Sequence, residues 1–466
     1  MALSSIPVPC LGLLVAAAVF SALLLRIIYN LYIHPLRRFH GPWYAASFSV
    51  VHAIISVFKR EPQWMQSLVK YYGNDKPIRV APNVLLSPQP EALKDIFCNP
   101  KCDTKTTTTV LASLARRTSL QRCKVKLITF FGRHSAVLRN WESRFDAHVQ
   151  LFIRHMMEHA ERNEPIGIAE KSIEVAADIM TMIAFSEPWG FIADKTDQRQ
   201  ILRTWRKGLQ GLVGVVLPPQ ATWAGDKIGL GYVMGQADKQ LAERERRIEE
   251  EMYSQEYPDF MKLCLEARID GKPLTDDQKL ANVVLLISAG SDTVATTIGR
   301  VTTPIQYEEV RENLPFFIAC VKEAMRLQPS AALLFGRVAP PRGIVVHGEV
   351  IPEGTEMTSI PYIVHQNPTV YAPDPEAYRI ERWLEGEVGG NTKEFIGEMK
   401  AANFGFGMGP RVCLGKDIAM MEIYKLFIEL VRRFDFEMLD EGRFVVVGGI
   451  GLNEDLVAKL HVRVKD

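Results

Sequence analysis

One cysteine, Cys413, lies in the stretch FGFGMGPRVCLGKD (residues 404–417) among Gly407, Gly409, Pro410 and Gly415. Glycine admits backbone angles and close approaches that a Cβ would block, and proline stiffens the chain, so this loop can aim main-chain N–H groups at one sulfur. From Leu414 onward Glu422, Lys425, Glu429 and Arg433 recur every three or four positions among mostly apolar residues, which predicts a helix buried on most sides. Cys413 then stands at the N-terminus of that helix, where the dipole and the N–H groups favour a thiolate. Such a thiolate is either a nucleophile or a metal ligand. A nucleophile needs a base, and no histidine lies between His365 and His461, so iron ligation is the better reading.

Two other stretches carry polar residues where helix rules would exclude them. In TDDQKLANVVLLISAGSDTVATTIGR (residues 275–300), Thr275 and Gln278 form a capping box, and an almost unbroken apolar run to Ile287 predicts a helix buried all round. Gly290, Asp292 and Thr293 interrupt it. A mid-helix glycine costs ~1 kcal/mol against alanine, and a buried aspartate costs more unless hydrogen-bonded; violations of this kind mark sites. In KEAMRLQP, Glu323 and Arg326 share one face of a helix that Pro315 opens and Pro329 follows. The flanking LPFFIAC is apolar enough to be core, and buried charges need partners.

The pattern Phe406-x-x-Gly409-x-Arg411-x-Cys413-x-Gly415 resembles the haem-binding signature of the cytochrome P450 monooxygenases. The resemblance implies haem b with Cys413 as axial thiolate, Phe406 packed near it and Arg411 on a propionate. Arg337, in LLFGRVAPP, matches the family's position for a second propionate cation, and Arg122, Lys124 and Lys126 are further candidates. By the same resemblance YRIERW supplies Arg382 as third member of a structural network with Glu323 and Arg326. Ala289-Gly290-x-Asp292-Thr293 is similar to the family's oxygen-binding helix, in which Asp292 and Thr293 would deliver protons to bound oxygen while the thiolate donates electron density from the other side. Ser288, Ala289, Ala331, Leu333, Leu334 and Phe335 are the candidate substrate-pocket residues, each of which reads equally well as core. The phrases IAEKSIEVAADIM and PRVCLGKDIA look like the filamentous-fungal secondary-metabolism group that contains pisatin demethylase.

These residues must be positioned by a large fold. The chain has 466 residues, 47 % hydrophobic and 23 % charged, with no composition shift after residue 60, which predicts one large globular unit. A formal net charge of +1 and the lack of a basic run interleaved with aromatics exclude nucleic acid as a partner class. Seven scattered cysteines show no CxxC pairing and fit a reducing compartment. The run CLGLLVAAAVFSALLL, followed by Arg26, Arg37 and Arg38, is long enough to span a bilayer and places the rest of the chain on the cytosolic side; a cleaved signal peptide is the alternative.

The expected architecture is therefore a mainly α fold of the P450 type with a small β region whose short strands concentrate after residue 335, preceded by one transmembrane helix. Its parts are an anchor at 1–33, a Pro-containing hinge at 34–60 and a haem-thiolate domain at 61–466. The expected function is a single-pass endoplasmic reticulum enzyme, fed by NADPH-cytochrome P450 reductase, that inserts one atom of O2 into a lipophilic small molecule. Two other readings fit the same residues: a haem-thiolate isomerase or peroxide user needing no reductase, and a non-catalytic membrane protein that has lost haem. The second draws on a departure from the family pattern. Only 31 positions separate Asp292 from Glu323, too few for the extra helix that membrane-bound members place after the residue equivalent to Ile298.

Overall fold

The computed structural model describes residues 8–102, 135–193, 229–250, 259–269, 271–283, 286, 307–333, 336–386, 389–447 and 449–463. The main helices are α1 (Val8–Ile28), α2 (Val50–Val57), α3 (Glu61–Tyr72), α4 (Ser135–Glu161), α5 (Ile168–Phe185), α6 (Gly229–Glu249), α7 (Pro315–Leu327), α8 (Lys393–Ala402) and α9 (Lys416–Arg433). The strands are β1 (Ile78–Ala81), β2 (Val84–Leu86), β3 (Ile166–Gly167), β4 (Arg268–Ile269), β5 (Lys272–Pro273), β6 (Arg337–Val338), β7 (Ile344–Val346), β8 (Glu349–Ile351), β9 (Glu356–Thr358), β10 (Phe434–Val447) and β11 (Ile450–Val462). The chain is mostly helical with some sheet.

Strand order in the first sheet is β1-β2-β9-β6, with only the β2–β9 pair parallel; the second is β10-β11-β3, all antiparallel. Not all strands follow residue 335. Ile78–Leu86 is a hairpin turning at Pro82 and Asn83, a local signal of β-branched residues flanking a turn pair that the helical pattern around it obscured.

Among the described residues three apolar clusters carry the packing, the smallest of them around Met65, Ile78 and Ile360. The largest joins α4 (Phe145, Phe152), α5 (Ile179, Ile183) and α9 (Met421, Ile428). The second lies under the segment that holds Cys413 and includes Leu36, Ile96, Phe97, Trp383, Met399 and Phe404. The polar stripe of α9 is largely buried: Lys425 Nζ lies 2.8 Å from both Glu142 Oε1 and Asp146 Oδ1 of α4, Arg432 and the half-buried Arg433 bond Glu429, and burial pushes the Glu422 carboxyl well above the ordinary range. These pairs let ionic groups sit in the interior, where an unpaired charge would be prohibitive.

At the N-terminal side, Leu13–Ile33 has a mean hydropathy of 2.0 and is long and apolar enough to cross a membrane. The segment that follows is docked rather than loose. Arg79 Nη1 donates to the Asn30 carbonyl at 2.7 Å, Arg79 N donates to the His40 carbonyl at 2.7 Å, and Leu36 and Phe39 are buried in the second cluster.

Candidate active site

Helix α8, capped by the Thr392 hydroxyl accepting from Phe395 N, delivers the chain to Phe404, which is buried. Gly407 N donates to the Phe404 carbonyl and Cys413 N to the Phe406 carbonyl, each at 2.7 Å, so the segment folds back twice before α9 begins. Gly407 (φ +74°) and Gly409 (φ +65°) occupy the left-handed region, where a side chain is strained. A Cβ on Gly409 would also fall 2.4 Å from the Phe97 carbonyl oxygen. Gly415 differs: its φ is −86° and nothing lies within 4 Å of where its Cβ would stand, so the protein's own backbone does not demand glycine there. Cys413 is exposed, one turn ahead of an 18-residue helix, and Lys416 Nζ stands 5.7 Å from the Phe406 ring centroid.

Phe97 joins the loop to the first sheet. Its ring stacks on Phe404 at 5.5 Å between centroids, and the Arg337 guanidinium of β6 lies 5.0 Å from the same ring centroid. Arg337 is buried and Nη1 donates to the Gly336 carbonyl at 3.1 Å. Burial pushes the nearby Cys102 thiol up, against the lowering effect of the Arg337 charge. A buried, permanently charged guanidinium thus sits one aromatic ring away from the Cys413 loop.

Behind the loop, Glu323, Arg326 and Arg382 meet in the interior, none more than 4 % exposed. Glu323 Oε1 accepts from Arg326 Nη2 (2.8 Å), Arg382 Nε (2.9 Å) and Arg379 N (2.9 Å). Its Oε2 accepts from Arg326 Nε (2.8 Å) and Trp383 Nε1 (2.9 Å). Burial pushes this carboxyl upward, but the two Arg326 bonds and charge, with the Arg379 and Trp383 donors, outweigh it and hold Glu323 below the ordinary carboxylate range. The arginines in turn saturate carbonyls of residues 365–377, Arg326 reaching His365 and Pro375 at 2.6 Å and Arg382 reaching Tyr371 at 2.7 Å. One carboxylate therefore fixes three chain segments.

His365, which the sequence reading passed over, completes this cluster. It is fully buried; Nε2 accepts from Phe404 N at 3.1 Å and Nδ1 donates to the Arg326 carbonyl at 3.2 Å. Burial lowers its pKa to about 3, the Arg326 guanidinium acting in the same direction and the bond to the Arg326 carbonyl opposing it. A lone histidine in YIVHQNP gives no signal in one dimension, because both partners are main-chain atoms 39 positions away in either direction.

Of the remaining predicted residues, Leu333 packs against the cluster containing Met65 and Ile360, and Ala331 bridges to Ile450 at the β10–β11 turn. The Thr275–Gln278 capping box is formed, Gln278 N donating to Thr275 Oγ1 at 3.3 Å and Thr275 N to Gln278 Oε1 at 3.0 Å. Ser288, Ala289, Asp292, Thr293, Leu334 and Phe335, together with Arg122, Lys124 and Lys126, lie outside the described residues.

Comparison with known proteins places these features in one family. The family model described as Cytochrome P450 matches residues 98–303 and 298–446. The two pieces overlap at residues 298–303. The chain is 27 % identical over 488 residues to cytochrome P450 monooxygenase ABA2 of Pyricularia oryzae, covering 92 % of this chain and 90 % of that protein. It is 25 % identical to cytochrome P450 monooxygenase atr2 of Stereocaulon alpinum (89 % and 88 % covered) and 24 % identical to cytochrome P450 monooxygenase prhB of Penicillium brasilianum (93 % and 94 %).

Proposed function

The chain belongs to the cytochrome P450 family, as a monooxygenase, and from that premise we propose that it is a membrane-anchored enzyme placing one atom of O2 in a lipophilic small molecule of fungal secondary metabolism. The observation that carries this reading is the exposed Cys413 thiol at the start of α9, its own N–H already bonded to Phe406, in a loop whose shape Gly407 and Gly409 make possible. The donor set fits haem b: a soft sulfur for the iron and the guanidinium groups of Arg337 and Arg411 for the two propionates. Bound haem supplies the oxygen activation that no side chain here could perform.

The chain's own residues supply ligand, charge, protons and shape. Cys413 at the helix N-terminus is stabilised as thiolate by the dipole. Phe406 and Gly415 line the same loop, and Gly409 lets it settle against Phe97. The Glu323–Arg326–Arg382 network holds the segment beneath it, a structural role. We assign Asp292 and Thr293 to proton delivery and Ser288, Ala289, Leu333, Leu334 and Phe335 to the substrate wall. The apolar helix at residues 13–33 supports attachment to the endoplasmic reticulum membrane with residues 61–466 in the cytosol and 34–60 between them. Electrons would come from NADPH through a flavoprotein reductase. The fungal sources of the three relatives support the substrate class.

The test is turnover. Microsomes containing the protein and a P450 reductase should consume NADPH and O2 and oxygenate members of a lipophilic library, with the activity lost in Thr293→Ala. Turnover with a peroxide and none with NADPH and reductase would instead establish the peroxide-dependent reading.

A further inference from the structure

The side chain of His365 fastens the beginning of the loop that carries Cys413. Phe404 N is a donor only and the Arg326 carbonyl an acceptor only, so bonds of 3.1 Å and 3.2 Å to the two nitrogens of His365 fix its tautomer: hydrogen on Nδ1, lone pair on Nε2. The ring cannot turn over without losing both. It is held from the sides by Phe404 (5.7 Å between centroids, 83°) and Tyr371 (6.3 Å), while the His365 carbonyl accepts from Arg326 Nη1 at 2.6 Å. Arg326 thus binds this one residue at two points and Glu323 at two more. On the other side, the Phe404 carbonyl accepts from Gly407 N, and the carbonyl of Phe406, two residues further on, accepts from Cys413 N. Hydrogen bonds, joined by short covalent stretches of backbone, therefore lead from the buried carboxylate of Glu323 through Arg326 and His365 to Phe404, two residues before the Phe406 carbonyl that accepts from Cys413 N.

We propose that His365 is a positioning residue for the haem-thiolate centre: donating from Nδ1 and accepting at Nε2, it ties the Cys413 loop to the Glu323–Arg326 network and thereby sets the geometry in which the sulfur meets iron. It acts through Phe404 and touches neither substrate nor haem. The spectroscopic part of the test rests on the haem-thiolate reading above; the chemical part does not.

Two amides separate the two halves of the role. In the full-length chain, the Oε1 of His365→Gln reaches the Nε2 position and can accept from Phe404 N, whereas His365→Asn can restore only the bond to the Arg326 carbonyl and His365→Leu restores neither. In membranes, reduced His365→Gln with carbon monoxide should keep the far-red-shifted Soret band of a thiolate adduct; Asn and Leu should convert most of it to the shorter-wavelength band of a lost or protonated thiolate. In haem-free protein, iodoacetamide attacks the thiolate of the exposed Cys413, so alkylation should run at the wild-type rate in Gln and roughly two- to fivefold slower in Asn and Leu, whose loosened loop no longer holds the sulfur at the helix N-terminus. Exposed Cys98, quantified in the same digests, is the internal reference. Thermal midpoints are recorded for all three. If Asn and Gln behave alike, or if both readouts merely follow the midpoints, His365 is core filling and the proposal is wrong. Should wild type bind no haem, the alkylation ratios still decide it.

Discussion

Gly409 and Gly415 stand six positions apart in one loop and do different work. At Gly409 the positive φ and the 2.4 Å approach to the Phe97 carbonyl are demands of the protein itself, so Gly409→Ala is expected to destabilise haem-free protein by about 1–3 kcal/mol. Gly415 has an ordinary φ and open space. Gly415→Ala should leave haem-free stability within about 0.5 kcal/mol and act on haem content alone, which denaturant midpoints with and without haem separate. His365 makes a second residue-level prediction. Its folded pKa of about 3 lies below the ordinary histidine value of 6.5, so between those values the unfolded chain binds the extra proton. Its contribution is therefore fully present above about pH 6.5 and falls by up to about 1.4 kcal/mol per pH unit toward pH 3. Urea midpoints measured from pH 7 to pH 4 should fall less steeply in His365→Gln than in wild type; equal slopes would contradict the assignment.

At the level of elements, the sequence is most legible where the signal is local. Thr275 and Gln278 cap the helix they predict, Pro315 opens α7, and the apolar spacing after Cys413 becomes α9. It is least legible where partners are far apart in the chain. The α9 stripe is buried because Lys425 meets Glu142, 283 positions away, and periodicity alone cannot distinguish that seam from a solvated face. Hinge residues likewise read as a linker, yet Leu36 and Phe39 complete the core under the cysteine loop. Truncation tests this. Removing residues 1–28 should leave the unfolding free energy of the remainder unchanged. Removing residues 1–40 also takes away the Asn30 and His40 bonds to Arg79 and two buried apolar side chains, each worth roughly 1.5–3 kcal/mol, and urea titration should show a loss of several kcal/mol together with lower haem content. Equal stability of the two would mean that the docked segment is dispensable.

For the whole molecule, the architecture concentrates rigidity behind the Cys413 loop: an apolar cluster beneath it, a five-bonded carboxylate behind it, a buried guanidinium beside it and an 18-residue helix beyond it. This arrangement suits a thiolate that must keep one geometry through a reaction cycle. The central claim is that Cys413 ligates haem iron, and the most direct measurement is the carbon monoxide difference spectrum of the dithionite-reduced, full-length protein in a eukaryotic membrane. The account predicts the far-red-shifted Soret band of a thiolate adduct, absent in Cys413→Ala. Folded, membrane-inserted wild-type protein without haem, or an unchanged band in Cys413→Ala, would contradict it.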